Sequence, residues 1–158
     1  MGPEAAREGL RRMLVRSTRL ERPIDEVFAF FADAGNLERI TPPELRFRIL
    51  TPMPVDMHAG ARLEYRLSLY GLPFRWRTEI AVWEPPDRFV DVQRSGPYAE
   101  WVHTHRFLPE YGGTRMEDRV EYVLPLGRLG LLGLPLVRRQ LERIFDYRAA
   151  AIRELLGA

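Results

Sequence analysis

Gly96-Pro97-Tyr98-Ala99-Glu100-Trp101-Val102-His103-Thr104-His105-Arg106-Phe107 opens on a turn signal and continues with a period of two, the spacing of a β-strand. One face carries Tyr98, Glu100, Val102, Thr104 and Arg106; the other carries Trp101, His103, His105 and Phe107. A half-buried antiparallel strand turns its charged face to water. Both histidines therefore point inward, flanked by aromatic rings. The only other histidine of the chain is His58. The stretch predicts a polar patch inside an apolar interior, without naming a ligand or a reaction.

The neighbouring segments extend this pattern. Tyr111-Gly112-Gly113 reads as a turn, after which Met116, Asp118, Val120, Tyr122 and Leu124 alternate with Arg115, Glu117, Arg119, Glu121 and Val123. Pairing Phe107 with Met116 across that turn sets His105 opposite Asp118, His103 opposite Val120 and Trp101 opposite Tyr122. A one-residue slip would turn Asp118 outward. On the other side, a turn at Gly96 sets Asp91 beside Trp101 and Phe89 beside His103. Further back, Phe74, Trp76, Thr78, Ile80 and Val82 alternate with Arg75, Arg77, Glu79, Ala81 and Trp83, and residues 61–70 alternate likewise. Gly71-Leu72-Pro73 and Pro85-Pro86-Asp87 separate these runs, so the whole reads as an antiparallel meander. Its charged rows, Arg75, Arg77 and Glu79 with Arg115, Glu117, Arg119 and Glu121, suit solvent. The inner face is then left with Thr78, Asp91, Gln93, His103, His105 and Asp118.

Before the meander, residues 12–22 read as a first strand. Pro23-Ile24-Asp25-Glu26 starts a helix, with Asp25 as cap, Glu26 in the first turn and Val27, Phe28, Phe30 and Phe31 on its apolar face. Asn36 caps a second short helix over 37–40, which Thr41-Pro42-Pro43 stops. Residues 45–50 read as strand two and 51–60 as a loop rich in Pro and Met. At the other end, residues 126–134 are Gly- and Leu-rich, and 129–134 fits either an entrance lid or an ordinary turn. Pro135 suits the first turn of a long amphipathic helix. That helix carries Val137, Leu141, Ile144, Phe145, Arg148, Ile152, Leu155 and Leu156 near helical spacing.

Composition narrows the function classes. At 158 residues the chain fits one domain, 1–158, with a sizeable core. It has no cysteine, which excludes disulfides and thiolate chemistry, and no lysine. Its net charge is +2, and the arginines are interleaved with glutamates, so a nucleic-acid footprint is not supported. No run is long and apolar enough for stable membrane insertion. The charged N-terminal stretch, 1–12, does not read as a secretory signal, so a cytoplasmic protein is expected. There is no phosphate-binding Gly-rich loop and no Gly-x-Ser-x-Gly elbow.

The order of strand, two short helices, six antiparallel strands and a long helix resembles the SRPBCC superfamily, which holds START domains, birch-pollen-allergen-like proteins and polyketide cyclases. Four stretches carry the likeness: Pro23 to Phe31, Asn36 to Pro43, Trp83-Glu84-Pro85-Pro86-Asp87-Arg88-Phe89, and Gly96-Pro97-Tyr98 followed by Trp101, His103 and His105. They are similar to a bacterial ligand-binding subgroup. The resemblance implies an α+β helix-grip fold: a curved seven-stranded antiparallel sheet wrapped around a long C-terminal helix, with two short helices between strands 1 and 2. It also implies a cavity between sheet and helix that takes a small hydrophobic or amphipathic ligand. The expected ligand-binding residues are Trp76, Phe89, Asp91, Trp101, His103, His105, Asp118, Tyr122 and Phe145. Three functions follow: a carrier or sensor; a cyclase/dehydratase-type enzyme with His103 or His105 as acid/base and Asp118 or Asp91 orienting it; or an interaction module with a residual cavity, whose protein partner is not readable. No cofactor is implied. His-x-His with Asp118 could hold a metal, but the expectation is no metal site.

Overall fold

The computed structural model describes residues 2–157; of the N-terminal stretch read above, Met1 lies outside the described residues. Seven antiparallel strands form one sheet in the order β1-β7-β6-β5-β4-β3-β2. They are β1 (Arg12–Leu20), β2 (Arg48–Ile49), β3 (Arg62–Leu69), β4 (Leu72–Glu84), β5 (Arg88–Ser95), β6 (Glu100–Glu110) and β7 (Gly113–Val123). Helices α2 (Ile24–Ala32) and α3 (Asn36–Arg39) lie between β1 and β2, and α4 (Leu134–Leu156) follows the sheet. The 23 residues of α4 span about 35 Å. This is the helix-grip arrangement: the curved sheet closes around α4, which buries Leu141, Phe145 and Ile152 against it.

The β6–β7 hairpin has the predicted register. Phe107 pairs with Met116, His105 with Asp118, His103 with Val120 and Trp101 with Tyr122. Two apolar clusters fill the interior. One joins Phe28, Phe31, Phe89, Phe107 and Ile152; the other joins Trp76, Trp101, Tyr122, Leu141 and Phe145.

Several local expectations are corrected. Phe89 pairs with His105 and Asp91 with His103, a two-residue slip from the expected partners. The cause is Gln93, whose amide donates to the Tyr98 carbonyl at 2.7 Å and accepts from the Tyr98 N–H at 3.2 Å. This bracket centres the turn on Pro97. A slip of two preserves the faces, so Asp91 still points inward. The turn between β3 and β4 is Tyr70-Gly71, both at positive φ as a two-residue hairpin loop requires, and Pro73 lies within β4. Pro73 is tolerated because β5 pairs with β4 only from Arg77 onward. A bulge between Ile80 and Val82 reverses the alternation, so Trp83 turns inward, 5.1 Å from Phe28 and 5.5 Å from Phe89. Strand β1 stops at Leu20, and β2 keeps only two residues because Leu45 lies in a 3₁₀ turn and Arg46 is left-handed. Helix α2 starts without a side-chain cap, so Asp25 serves the first turn. Asn36 lies inside α3 and donates to the Phe30 carbonyl at 2.8 Å. Residues 3–10 form a helix, α1 (Pro3–Leu10), that the charged sequence did not suggest.

Candidate functional site

The inward face of the sheet meets α4 across an interior space of about 160 Å³. Of the residues expected to bind a ligand, Trp76, Phe89, Asp91, Trp101, His103, His105 and Phe145 line it. Asp118 and Tyr122 are buried behind this wall. Trp76 is 5.1 Å edge-on to Trp101, and Tyr98 is 4.8 Å from Trp101, so the end nearer β4 is aromatic.

The polar centre has five members. Strand β6 supplies His103 and His105, β5 supplies Asp91, β7 supplies Asp118, and α4 supplies Arg148. His105 faces Asp118 in the register, yet the short hydrogen bonds run diagonally. His103 Nε2 donates to Asp118 Oδ1 at 2.7 Å, and His105 Nε2 donates to Asp91 Oδ2 at 2.6 Å. The imidazoles stack at 3.6 Å, with the Phe89 ring 4.0 Å beyond His105. Leaning together in this way carries each ring toward the neighbouring strand's carboxylate.

Arg148 closes the arrangement. Its guanidinium lies 5.4 Å from the centre of the Phe31 ring and 5.9 Å from that of Phe145. Nη2 donates to His105 Nδ1 at 3.3 Å and is 3.6 Å from Asp118 Oδ1. A guanidinium only donates, so His105 Nδ1 must accept and its proton must sit on Nε2. The tautomer follows from both neighbours. The sequence did give a signal for Arg148: it occupies the stripe of Leu141, Phe145 and Ile152, where an unpaired charge would be costly.

Charge states follow from burial and neighbours. Burial and the nearby charge of His103 push His105 down to about 4, against the opposing pull of Asp91. Burial raises both carboxyls, but this is outweighed: at Asp91 by the His105 hydrogen bond and the charges of His103, His105 and Arg148, and at Asp118 by Arg148 and the His103 bond. Both acids are therefore held below the ordinary range. At neutral pH, Asp91 and Asp118 are therefore carboxylates, His105 is neutral and Arg148 is a cation.

Of the buried donors without a partner among the described residues, two belong to this site: Trp76 Nε1, facing the space, and Arg148 Nε. His103 Nδ1 lies 3.8 Å from Asp91 Oδ2, beyond hydrogen-bond reach. Asp91, His103 and His105 also place one ligand atom each within 4.8 Å of one another. A divalent ion there would need the other tautomer of His105, with Nδ1–H set against the Arg148 guanidinium. The donor set as arranged therefore does not fit a metal.

The sequence matches the family described as polyketide cyclase/dehydrase and lipid transport over residues 20–146. No curated protein matches it. Among solved structures, protein CV1439 from Chromobacterium violaceum superposes with a TM-score of 0.73 at 13% identity, over 93% of this chain and 99% of that one. Protein Ms6760 from Mycobacterium smegmatis gives 0.68 at 18% identity, over 95% and 92%. Major latex-like protein 151 from Panax ginseng gives 0.67 at 12% identity, over 95% and 100%. At these identities the likeness is one of fold alone.

Proposed function

We propose that this chain, which belongs to the polyketide cyclase/dehydrase and lipid transport family of the SRPBCC superfamily, binds one small, uncharged, largely aromatic molecule between the sheet and α4, as a carrier or sensor. It does so as a single domain over residues 1–158, and the expected setting is cytoplasmic. The observation that carries this reading is the pair of unpartnered buried donors, Trp76 Nε1 and Arg148 Nε, in a space lined mainly by aromatic and aliphatic side chains. Leaving such donors unpaired costs roughly 1–3 kcal/mol each, which a guest with oxygen acceptors would recover. A carboxylate guest is disfavoured. A carboxylate there would meet the Asp91 and Asp118 carboxylates, and Nη2 of the only guanidinium in the cluster is already directed at His105 and Asp118. A space of about 160 Å³ is the size that holds one benzene ring, so the resting form accepts a guest of one ring.

Native mass spectrometry of freshly purified protein, before and after denaturation, tests occupancy. A thermal-shift panel of matched aromatic ketones and carboxylates tests chemistry. The expected result is stabilisation by the ketones and none by the carboxylates, with Trp76→Phe losing about tenfold in affinity, the value of one hydrogen bond. No guest and no stabilisation by any compound would overturn the reading in favour of an interaction module.

One observation favours the enzyme reading: His103 Nδ1 faces no hydrogen-bond partner, whereas both nitrogens of His105 are engaged. A cyclase- or dehydratase-type reaction would use His103 as the acid/base, with Asp118 orienting it. His103→Gln would then abolish turnover while binding persisted; in a carrier it would change affinity only.

A further inference from the structure

Between Glu121 and Glu142 the chain has no acidic side chain, but it has Arg128, Arg138 and Arg139. The ion pairs on either side, Arg119–Glu121 and Arg143–Glu44, stop at the borders of this stretch. Within it, residues Gly127–Gly133 form a 3₁₀ helix leading into α4. Residues three apart eclipse in a 3₁₀ helix, so Leu126, at its cap, shares one side with Leu129 and Leu132. These three and Leu136 are between 55% and 83% exposed. Exposed apolar side chains are unremarkable singly, but four within eleven residues form a patch. The patch is held firmly. A Cβ on Gly130 would overlap the Pro125 carbonyl oxygen, and Leu126 stands at φ 69°, a conformation unfavourable to leucine. Leu134 and Val137 anchor the same segment on the Trp76–Trp101 cluster. Packing against the 3₁₀ helix, α1 adds Glu4 and Glu8 but also Arg7, with Arg11 and Arg12 following it.

We infer that this turn is a docking surface for an anionic lipid bilayer. Leu126, Leu129, Leu132 and Leu136 enter the interface, while Arg128, Arg138 and Arg139 meet the headgroup phosphates. Apolar tips ringed by cations are what an anionic interface recognises, and the two contributions reinforce each other. A second copy of the chain fits the same face poorly: a two-fold contact would bring both sets of three arginines into one interface, where residues 122–141 offer no acidic side chain to pair them. The patch adjoins the wall of the interior space, since α4 continues from it to Leu141.

The experiment is co-sedimentation of the full chain with vesicles of phosphatidylcholine alone or mixed with phosphatidylglycerol, at low and high salt. Binding is expected only to the mixed vesicles and should weaken with salt. Leu129→Ser/Leu132→Ser and Arg128→Gln/Arg139→Gln should each lower the partition coefficient by about tenfold, since one to two kcal/mol of interface contact corresponds to that factor. None of these four side chains lines the interior space, so circular dichroism and guest binding should match the parent. No sedimentation of the parent with mixed vesicles overturns the proposal, as does sedimentation unchanged in both variants. Light scattering that shows a dimer dissolved by the leucine changes assigns the face to a second copy and overturns it equally.

Discussion

The two faces of one sheet use the same chemistry to opposite effect. Outside, Arg94 meets Glu79 at 2.6 Å and Arg119 meets Glu121 at 2.9 Å, in water. Inside, His103–Asp118 at 2.7 Å and His105–Asp91 at 2.6 Å are as short, and Arg148 lies 3.6 Å from Asp118, all with little solvent. An exposed pair gains little because water screens it and already solvates both partners. A buried network gains strong internal interactions but has been stripped of water, so its members depend on one another. Distance alone does not rank these contacts; solvent does.

Removing one buried partner should break the comparison most sharply. Arg148→Met leaves Asp118 buried with His103 as its main partner, and should cost about 3–5 kcal/mol in urea unfolding. Adding Asp118→Asn to that variant should recover part of the loss, because the stranded charge disappears with it. An additive double variant would show that Arg148 acts through packing on Phe31 and Phe145 instead.

The next effect is pH dependence. The folded protein holds His105 down at about 4 against an ordinary 6.5, so between these values the unfolded chain binds the extra proton. Stability therefore falls as pH drops from 6.5 to 4, by about 3 kcal/mol if the whole shift is realised. The depressed carboxyls add a further loss below the ordinary carboxyl range, as they are forced to protonate. Unfolding curves across pH 4–7 should show this slope in the parent and a much flatter one in His105→Gln. An equal slope in both would assign the proton uptake to another group.

The helix-grip topology was legible because period-2 alternation over long strands leaves little freedom, and the pairing of Phe107 with Met116 across Tyr111-Gly112 is the β6–β7 register found. The site was legible only as a set of inward residues. Gln93 moved the β5–β6 register through a side-chain bracket that no periodicity encodes. The bulge in β4 turned Trp83 inward for the same reason: one extra residue is invisible to an alternation count. Which histidine meets which aspartate depends on ring tilt and on Arg148, contributed from 43 residues beyond His105. The arginine itself was visible in an apolar stripe, but its partners were not, since strand–helix contacts leave no local pattern.

The smallest effect sharpens the comparison from the outside. Arg94→Gln breaks one of the shortest ion pairs of the molecule, yet its side chain is 55% exposed. Its loss should cost less than about 1 kcal/mol and should shrink further in high salt. If Arg94→Gln proved as costly as Arg148→Met, geometry would outrank burial, and the inner cluster would lose its claim to be distinct from the surface rows. If instead the two differ several-fold, a guanidinium–carboxylate contact is a surface detail on one side of the sheet even where it is the shorter of the two. On the other it is a structural dependency, which is why a guest that pairs with the spare donors there can be felt by the whole fold.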